Sequence, residues 1–273
     1  MSEFPHDVLV EALSEQWTAL DELLSTVEGD AWITPTALPG WTVRDIVSHI
    51  VGTETLLSGE TPPGTAIDVH TLPHVRNEIG ALNEQWVEGL RAHTGEQILA
   101  MFREITQSRR AALGTMTQED FDAPAATPVG PSTYGRFMRI RMFDCWMHEH
   151  DIRDALGAPA GDEGGKRGNV AFAEIEGALG FIVGKLGRAP EGARVTIELS
   201  GPLARTIHVE VDGRAAVVPQ LSGPATVKIA MDSRLFVRLA GGRTTAAEHV
   251  SEFELDGDVE VGRRIVDNLA FTI

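Results

Sequence analysis

The segment RMFDCWMHEHDIRDALG, residues 141–157, concentrates side chains that could hold a metal ion. It contains two histidines, several acidic residues and the only cysteine of the chain. Its apolar positions and the lack of a helix breaker before Gly157 predict a helix. On a helix, His148 and His150 lie about 200° apart, whereas Asp144 and His148 lie about 40° apart. We therefore predict Asp144 and His148 as paired ligands, with His150 off the site.

A third ligand is expected from another helix. His49 is the best candidate, because it lies at the edge of the apolar stripe of a helix predicted over 42–57. Thr42, followed three residues later by Asp45, predicts a capping box at the start of this helix. His74 is the second choice, since it lies at a predicted helix start beside a proline. The other histidines considered lie in terminal or loop-like segments: His6, His70 and His93.

Two histidines and one carboxylate with an open fourth position are typical of a catalytic zinc site with a bound water. The same ligands form the facial triad of non-haem iron enzymes. An Asp-x-x-x-His pair also occurs on ordinary helix faces, where the histidine is hydrogen-bonded in the core. The residue types alone leave these three interpretations open.

These residues require helices that bring them together. Hydrophobic periodicity predicts an all-helical bundle in the first ~155 residues, with helices at 8–27, 42–57, 74–93 and 135–156 and a short one at 96–113. Residues 58–68 and 117–135 are predicted as loops. Residues 157–168 have the composition of a linker. The bundle domain is therefore predicted to span residues 1–157.

Beyond the linker the hydrophobic period changes from 3.6 to 2. A helix is predicted over 169–186, and alternating apolar and polar residues then predict half-buried antiparallel strands. These strands are at 194–199, 206–211 and 225–232, and short helices follow near 233–240 and 260–270. The fold class is therefore mixed, with a helical bundle followed by a small α+β domain over residues 168–273.

Composition limits the partners. The chain is an ordinary globular mixture with 42% hydrophobic and 23% charged residues, and its net charge of −17 argues against nucleic acid and anionic membranes. No apolar run reaches the ~18–20 residues of a membrane helix. The N-terminal residues lack a secretory pattern, and a single cysteine, Cys145, fits the reducing cytoplasm. Cys145 is interpreted as a buried structural residue.

Three segments together resemble the mycothiol-dependent maleylpyruvate isomerase family, within the DinB-like helical bundles. LPGWTVRDIVSHIVGTE resembles the helix whose histidine binds the metal, here His49, and DCWMHEHDIRDALG resembles the acidic-x-x-x-His helix, here Asp144 and His148. The tail from LAGGRTTAAEHV onward is similar to the family's sterol-carrier-like second domain. The characterised isomerases have Glu where this chain has Asp144. A metal ion must therefore lie closer to the helix, or its coordination must change.

The resemblance implies a zinc ion, or another divalent metal, and the low-molecular-weight thiol mycothiol, acting on a small electrophilic substrate. Zinc deprotonates a coordinated thiol, and the thiolate attacks an electron-poor carbon. In an isomerase, addition, rotation about the new single bond and elimination change the geometry, whereas in a transferase the adduct leaves. A substrate with carboxylates would need cationic partners, for which we consider Arg76, Arg238 and Arg243. Asp151 could orient His148.

Two other functions remain open. In the first, the sterol-carrier-like half binds an apolar ligand and the bundle is a scaffold with a structural metal site. In the second, the same triad holds iron in an oxygenase, although no motif suggests a 2-oxo-acid site. Co-purified lipid would favour the first, and bound iron with consumption of oxygen would favour the second. The sequence does not indicate an oligomeric state.

Overall fold

The computed structural model describes residues 4–161 and 163–272, which form two compact units with those same bounds. The division falls inside the predicted linker, although the end of that segment, from Lys166, already belongs to a helix. The predicted domain and linker ranges also include residues 1–3, 162 and 273, which lie outside the described residues. No helix in the described part of the chain is long and apolar enough to cross a membrane.

The first unit is a four-helix bundle with additional elements, which confirms the predicted class. Its helices are α1 (His6–Leu24), α2 (Val43–Leu57), α3 (Glu78–Leu90), α4 (Gly95–Thr115), α5 (Gln118–Asp122) and α6 (Tyr134–Leu156). Helix α1 packs on α4 and α6, and α2 packs on the same two helices, so that these four form the bundle. Helix α3 packs on the outside of α2.

Three expectations for this unit differ from the structure. The helix predicted at 96–113 is present as α4, but it has 21 residues and is not short. The predicted loop 117–135 contains α5 and a hairpin of β1 (Pro124–Thr127) and β2 (Gly130–Thr133). Helix α3 also begins later than predicted, because the side chain of Asn77 caps it.

The second unit combines a sheet with helices, as predicted, and its sheet has five strands rather than three. Helix α7 (Lys166–Phe181) continues into one π-helical turn over Ile182–Leu186, and α8 (Ser233–Ala240) and α9 (Val259–Asp267) follow later. The strands are β3 (Arg194–Ser200), β4 (Arg205–Asp212), β5 (Arg214–Val218), β6 (Val227–Asp232) and β7 (Phe253–Gly257). The likeness to sterol carriers stays a prediction.

The strand directions differ in part from the expectation. The order is β5-β4-β3-β6-β7, and β3 pairs in parallel with β6, with Val195 opposite Val227. The expectation of antiparallel pairing is therefore wrong for these two strands, although the remaining pairs are antiparallel. Alternation of apolar residues reports a half-buried strand whatever its direction, and the connection after β5 sets the direction of β6. Strands β5 and β7 were not predicted.

Candidate metal centre

Two helices of the first unit carry the three predicted ligands. Helix α2 begins with the predicted capping box, in which Thr42 and Asp45 each bond the other's backbone amide. The apolar stripe of α2 is buried in the bundle, and His49 beside it is 4% exposed. Helix α6 carries Asp144 and His148 one turn apart, on the face that packs towards α2.

Asp144 lies between the two histidines. Its Oδ2 atom is 3.2 Å from Nε2 of His49, and its Oδ1 atom is 3.4 Å from Nε2 of His148. The two imidazole rings meet edge to face, with centroids 5.1 Å apart. One ligand atom from each residue lies within 4.8 Å of the other two. The structure therefore brings together the three residues chosen from the sequence.

The donor atoms fit a divalent ion such as zinc. Two imidazole nitrogens and one carboxylate with an open position are a common zinc ligand set, and the two Nε2 atoms lie 3.2 and 3.4 Å from different oxygens of Asp144. The side chains of His49 and His148 are 5% and 6% exposed, whereas that of Asp144 is 27% exposed. A small molecule can therefore approach from the carboxylate side while the imidazoles stay in the protein interior.

Asp151 supports His148 from the opposite side of its ring. The Asp151 Oδ2 atom lies 2.9 Å from Nδ1 of His148, and its side chain is 2% exposed. A carboxylate accepts but does not donate, so Nδ1 carries a proton, and Nε2 is the ring nitrogen that faces Asp144 and could bind a cation. This carboxylate–histidine contact is the usual outer support of a metal-ligating histidine.

His49 lacks an equivalent support. Its Nδ1 atom is buried and has no hydrogen-bond partner among the described residues. The Trp41 ring packs beside it instead, with centroids 5.2 Å apart, and Trp41 also lies 6.3 Å from the His148 ring. Trp41 is half-buried and packs next to both imidazoles.

A chain of alternating charges reaches Asp144 from the other side. Arg141 donates from Nη1 to Asp144 Oδ2 over 2.5 Å and from Nε to Glu54 Oε1 over 2.9 Å. Glu54 also accepts from Arg109 Nε over 3.0 Å, and Arg109 contacts the hydroxyl of Tyr134. The side chains of Arg109, Glu54 and Arg141 are 5%, 1% and 3% exposed. We call Arg109, Glu54, Arg141 and Asp144 the charge chain.

Trp41 is fixed by a second buried acid. Its Nε1 atom donates to Glu84 Oε2 over 2.8 Å, and the same oxygen lies 3.1 Å from Nε2 of His74. Arg91 lies 3.6 Å from the other oxygen of Glu84, and 3.4 Å from Asp45 of the capping box. The Trp41 indole and the start of α2 are therefore connected through one polar cluster. His74 serves this cluster and is not part of the triad.

Burial and neighbouring charges shift the pKa values of all three triad residues. Burial lowers the pKa of His49, against the opposing pull of the Asp144 carboxylate. Burial alone would raise the pKa of Asp144, but the two imidazoles and Arg141 hold it well below its ordinary value. Burial would lower the pKa of His148, but the carboxylates of Asp144 and Asp151 outweigh it and raise the pKa. Asp144 is therefore ionised near neutral pH.

His150 and Cys145 lie off the triad. The His150 ring packs edge-on against Trp146, with centroids 4.5 Å apart. Cys145 is buried, and burial raises the pKa of its thiol to about 12. Arg141 Nη2 lies 3.5 Å from its sulfur. Cys145 is therefore held as a neutral thiol within the bundle.

The three predicted substrate-binding arginines are divided between the two units. Arg76 is exposed and precedes α3 in the first unit. Arg238 lies in α8 and Arg243 just after it, both half-buried in the second unit. Arg243 donates to the carbonyl of Gly241. Their role in binding a carboxylate substrate stays a prediction.

Sequence reasoning missed the charge chain and Glu84. Glu54 lies four residues after Ile50 on the buried face of α2, and Arg109 interrupts the buried stripe of α4. A charged residue within an apolar stripe is costly to bury unless it is paired, so each position was a sign of a buried ionic partner. The partners come from other helices, so their pairing needed the fold.

Comparison with known proteins matches both units. The model of the mycothiol maleylpyruvate isomerase N-terminal domain matches residues 13–153, and the model of the C-terminal domain of the same family matches residues 169–264. An uncharacterized protein of Mycobacterium tuberculosis, from strains H37Rv and CDC 1551, is 24% identical over 192 residues. That match covers 68% of this chain and 70% of the relative.

Solved structures share the fold. A crystal structure of the mycothiol-dependent maleylpyruvate isomerase matches with a TM-score of 0.59 at 16% identity, covering 89% of this chain and 91% of that one. A histidine-to-alanine mutant of that enzyme matches with a TM-score of 0.60 at 15% identity, covering 93% and 94%. The family matches confirm the resemblance seen in the sequence. The chain belongs to the mycothiol-dependent maleylpyruvate isomerase family.

Proposed function

We propose that this chain is a metal-dependent enzyme in which mycothiol is the thiol cosubstrate for isomerisation or S-conjugation of a small electrophile. The observation that carries the proposal is the convergence of His49, Asp144 and His148, with ligand atoms within 4.8 Å of one another. Membership of a family named for mycothiol and maleylpyruvate supports the choice of thiol and of a first substrate to test.

The three residues have distinct tasks in this proposal. His49 and His148 would each present Nε2 to a divalent ion, with zinc as the first choice, and Asp144 would present a carboxylate oxygen. A bound metal ion supplies the positive charge that converts a coordinated thiol into the reactive thiolate. Asp151 keeps the proton of His148 on Nδ1, and Trp41 limits the space beside the imidazoles.

The protein's own cysteine is not the nucleophile in this proposal. The Cys145 thiol is buried and its pKa is raised to about 12, so it is protonated at neutral pH. The 27% exposure of the Asp144 side chain provides an approach for an external thiol. We also propose a cytoplasmic location, where a small thiol stays reduced.

Elemental analysis of the purified protein and of His49→Ala and His148→Ala tests the metal site. We expect one zinc-class ion per chain in the wild type and loss of that ion in both variants, with unchanged circular dichroism. His150→Ala is the matched control, because His150 lies on the same helix as His148 but packs against Trp146. Full metal content in both triad variants would refute the proposed site.

A second assay separates the two reactions. The metal-loaded protein is supplied with mycothiol and maleylpyruvate, or with a series of activated alkenes, and free thiol is measured together with the substrate's geometry. An isomerase changes the geometry while the thiol is regenerated, whereas a transferase consumes one thiol for each product. Absence of both changes with every electrophile in the metal-loaded protein would contradict a thiol-dependent reaction.

A further inference from the structure

The charge chain joins three helices of the bundle to one ligand of the proposed metal centre. Glu54 comes from α2, Arg109 from α4, and Arg141 and Asp144 from α6. Each successive pair of opposite charges is in contact, at 3.0, 2.9 and 2.5 Å. The chain ends at the carboxylate oxygen that also faces His49.

Arg141 has all three guanidinium nitrogens engaged. Nε donates to Glu54, Nη1 donates to Asp144, and Nη2 lies 3.5 Å from the Cys145 sulfur. A guanidinium is planar and its donors have a fixed fork geometry, so engagement of Nε determines which edge of the group faces Asp144. Glu54 therefore sets the orientation of Arg141.

This orientation limits how Arg141 can pair with Asp144. An arginine free to turn binds a carboxylate through two parallel hydrogen bonds, which occupy both carboxylate oxygens. Here only Nη1 contacts Asp144, and it contacts only Oδ2. The Oδ1 atom instead faces His148 at 3.4 Å. One-point pairing thus leaves an oxygen of Asp144 directed into the triad.

We propose that Glu54 is a positioning residue of the metal centre, which holds Arg141 in one-point contact with Asp144 so that the carboxylate stays available to the cation. This inference rests on the metal site proposed above. Glu54 contacts Arg109 and Arg141, and it acts on the site through Arg141. Without Glu54, Arg141 turns towards two-point pairing with Asp144 and competes with the cation for both oxygens.

The test compares two variants that break the same buried ion pair. Glu54→Gln and Arg109→Gln both remove the Arg109–Glu54 contact and both destabilise the metal-free bundle. Only Glu54→Gln removes the negative charge that Arg141 Nε contacts, while Asp144 is kept. The control for charge is Glu149→Gln, because Glu149 is equally buried on α6 and pairs with Arg153 away from the triad.

Zinc affinity of the four metal-free proteins is measured by competition with a chromophoric chelator, and the cobalt(II) absorption spectrum reports ligand geometry. We expect Glu54→Gln to weaken zinc binding roughly 10–100-fold, as is typical for outer-shell partners of a metal site. Its cobalt(II) spectrum should shift as well. Arg109→Gln and Glu149→Gln should keep the wild-type affinity and spectrum, although Arg109→Gln lowers the unfolding temperature.

Other outcomes overturn the inference. Equal affinity in Glu54→Gln and wild type, or equal losses in Glu54→Gln and Arg109→Gln, would mean that Glu54 serves stability alone. If Glu54→Gln does not fold, Arg141→Lys is measured instead, because a single ammonium group cannot reproduce the forked contacts of the guanidinium. Wild-type zinc affinity in Arg141→Lys would also refute the positioning role of Glu54. A wild-type protein that binds no zinc refutes the metal site itself, and the inference with it.

Discussion

Replacing Asp151 with asparagine is expected to weaken zinc binding while the fold is kept. Asparagine has the same shape as aspartate, and the Asp151 Oδ2 atom accepts from His148 Nδ1 over 2.9 Å within a buried environment. The substitution therefore changes charge and hydrogen-bonding capacity rather than packing. Its effect on metal affinity measures what the carboxylate contributes to His148 as a ligand.

The magnitude follows from the kind of hydrogen bond that is lost. A hydrogen bond to a charged group contributes about 1.5–3 kcal/mol, against about 1 kcal/mol for a neutral one. The bond strengthens when the imidazole donates electrons to a cation, so a neutral acceptor at position 151 should cost about 1–1.5 kcal/mol, roughly tenfold in Kd. If the amide of Asp151→Asn instead donates to Nδ1, the proton moves to Nε2 and the loss approaches 100-fold.

The assay is a zinc competition titration of the metal-free protein. Asp154→Asn is the control, because Asp154 lies on the same helix, is exposed and loses the same charge. We expect wild-type affinity for this control. An Asp151→Asn protein that binds zinc as tightly as the wild type would refute the inference that Asp151 sets the tautomer of His148.

The same pair predicts a pH dependence of the metal-free protein. The pKa of His148 is raised in the folded state, because Asp144 and Asp151 outweigh the effect of burial. The stabilisation from its proton is fully present below the unfolded pKa of about 6.5 and is lost as the pH rises through the folded pKa. The difference in unfolding free energy between wild type and Asp151→Asn should therefore shrink as the pH rises, which urea unfolding measures.

Three further substitutions test the surroundings of the triad. Asp144→Glu adds one C–C bond of about 1.5 Å to a carboxylate that is already 3.2 and 3.4 Å from the imidazole nitrogens. We expect weaker zinc binding in a competition titration. Tighter binding would show that the site can expand. Trp41→Phe leaves buried Glu84 without its indole donor and should cost about 1–3 kcal/mol of unfolding free energy in urea. Gly40→Ala places a methyl group 2.9 Å from His74 at a φ of +82°, and should lower the unfolding free energy by about 1–3 kcal/mol. Wild-type stability of Trp41→Phe or of Gly40→Ala would contradict the contacts described for that residue.

The pairing of Asp144 with His148 could be predicted because its geometry is local. Asp144 and His148 share a face through the helical repeat alone, and the apolar stripe of α2 sets the direction of His49. That His49 meets the other two was an inference from their shared burial and from the family resemblance. The Thr42 capping box was equally readable, because it depends on residues three positions apart.

What the sequence did not predict depends on contacts between distant segments. Glu54 and Arg109 are 55 positions apart, and neither residue indicates which partner satisfies its buried charge. The same limit applies to the sheet, since the alternation in β3 and β6 predicts burial but not the parallel pairing. Strand β5, with Ala215 and Ala216, has too little alternation to be recognised without its neighbour β4.

The charges around the triad explain why an anionic sulfur suits this site. Along the charge chain, the two arginines offset the two carboxylates, so the chain carries no net charge. Burial lowers the pKa of His49, and a metal-bound imidazole is neutral, so neither histidine adds charge to a loaded site. Asp151 then offsets half the charge of a divalent ion, and one positive charge is left. A single thiolate neutralises that charge, whereas a neutral thiol leaves it uncompensated in a mostly buried site. In the proposed metal-loaded site, Arg141 thus favours the thiolate by offsetting Asp144, and Asp151 limits the remaining positive charge to what a single thiolate can neutralise.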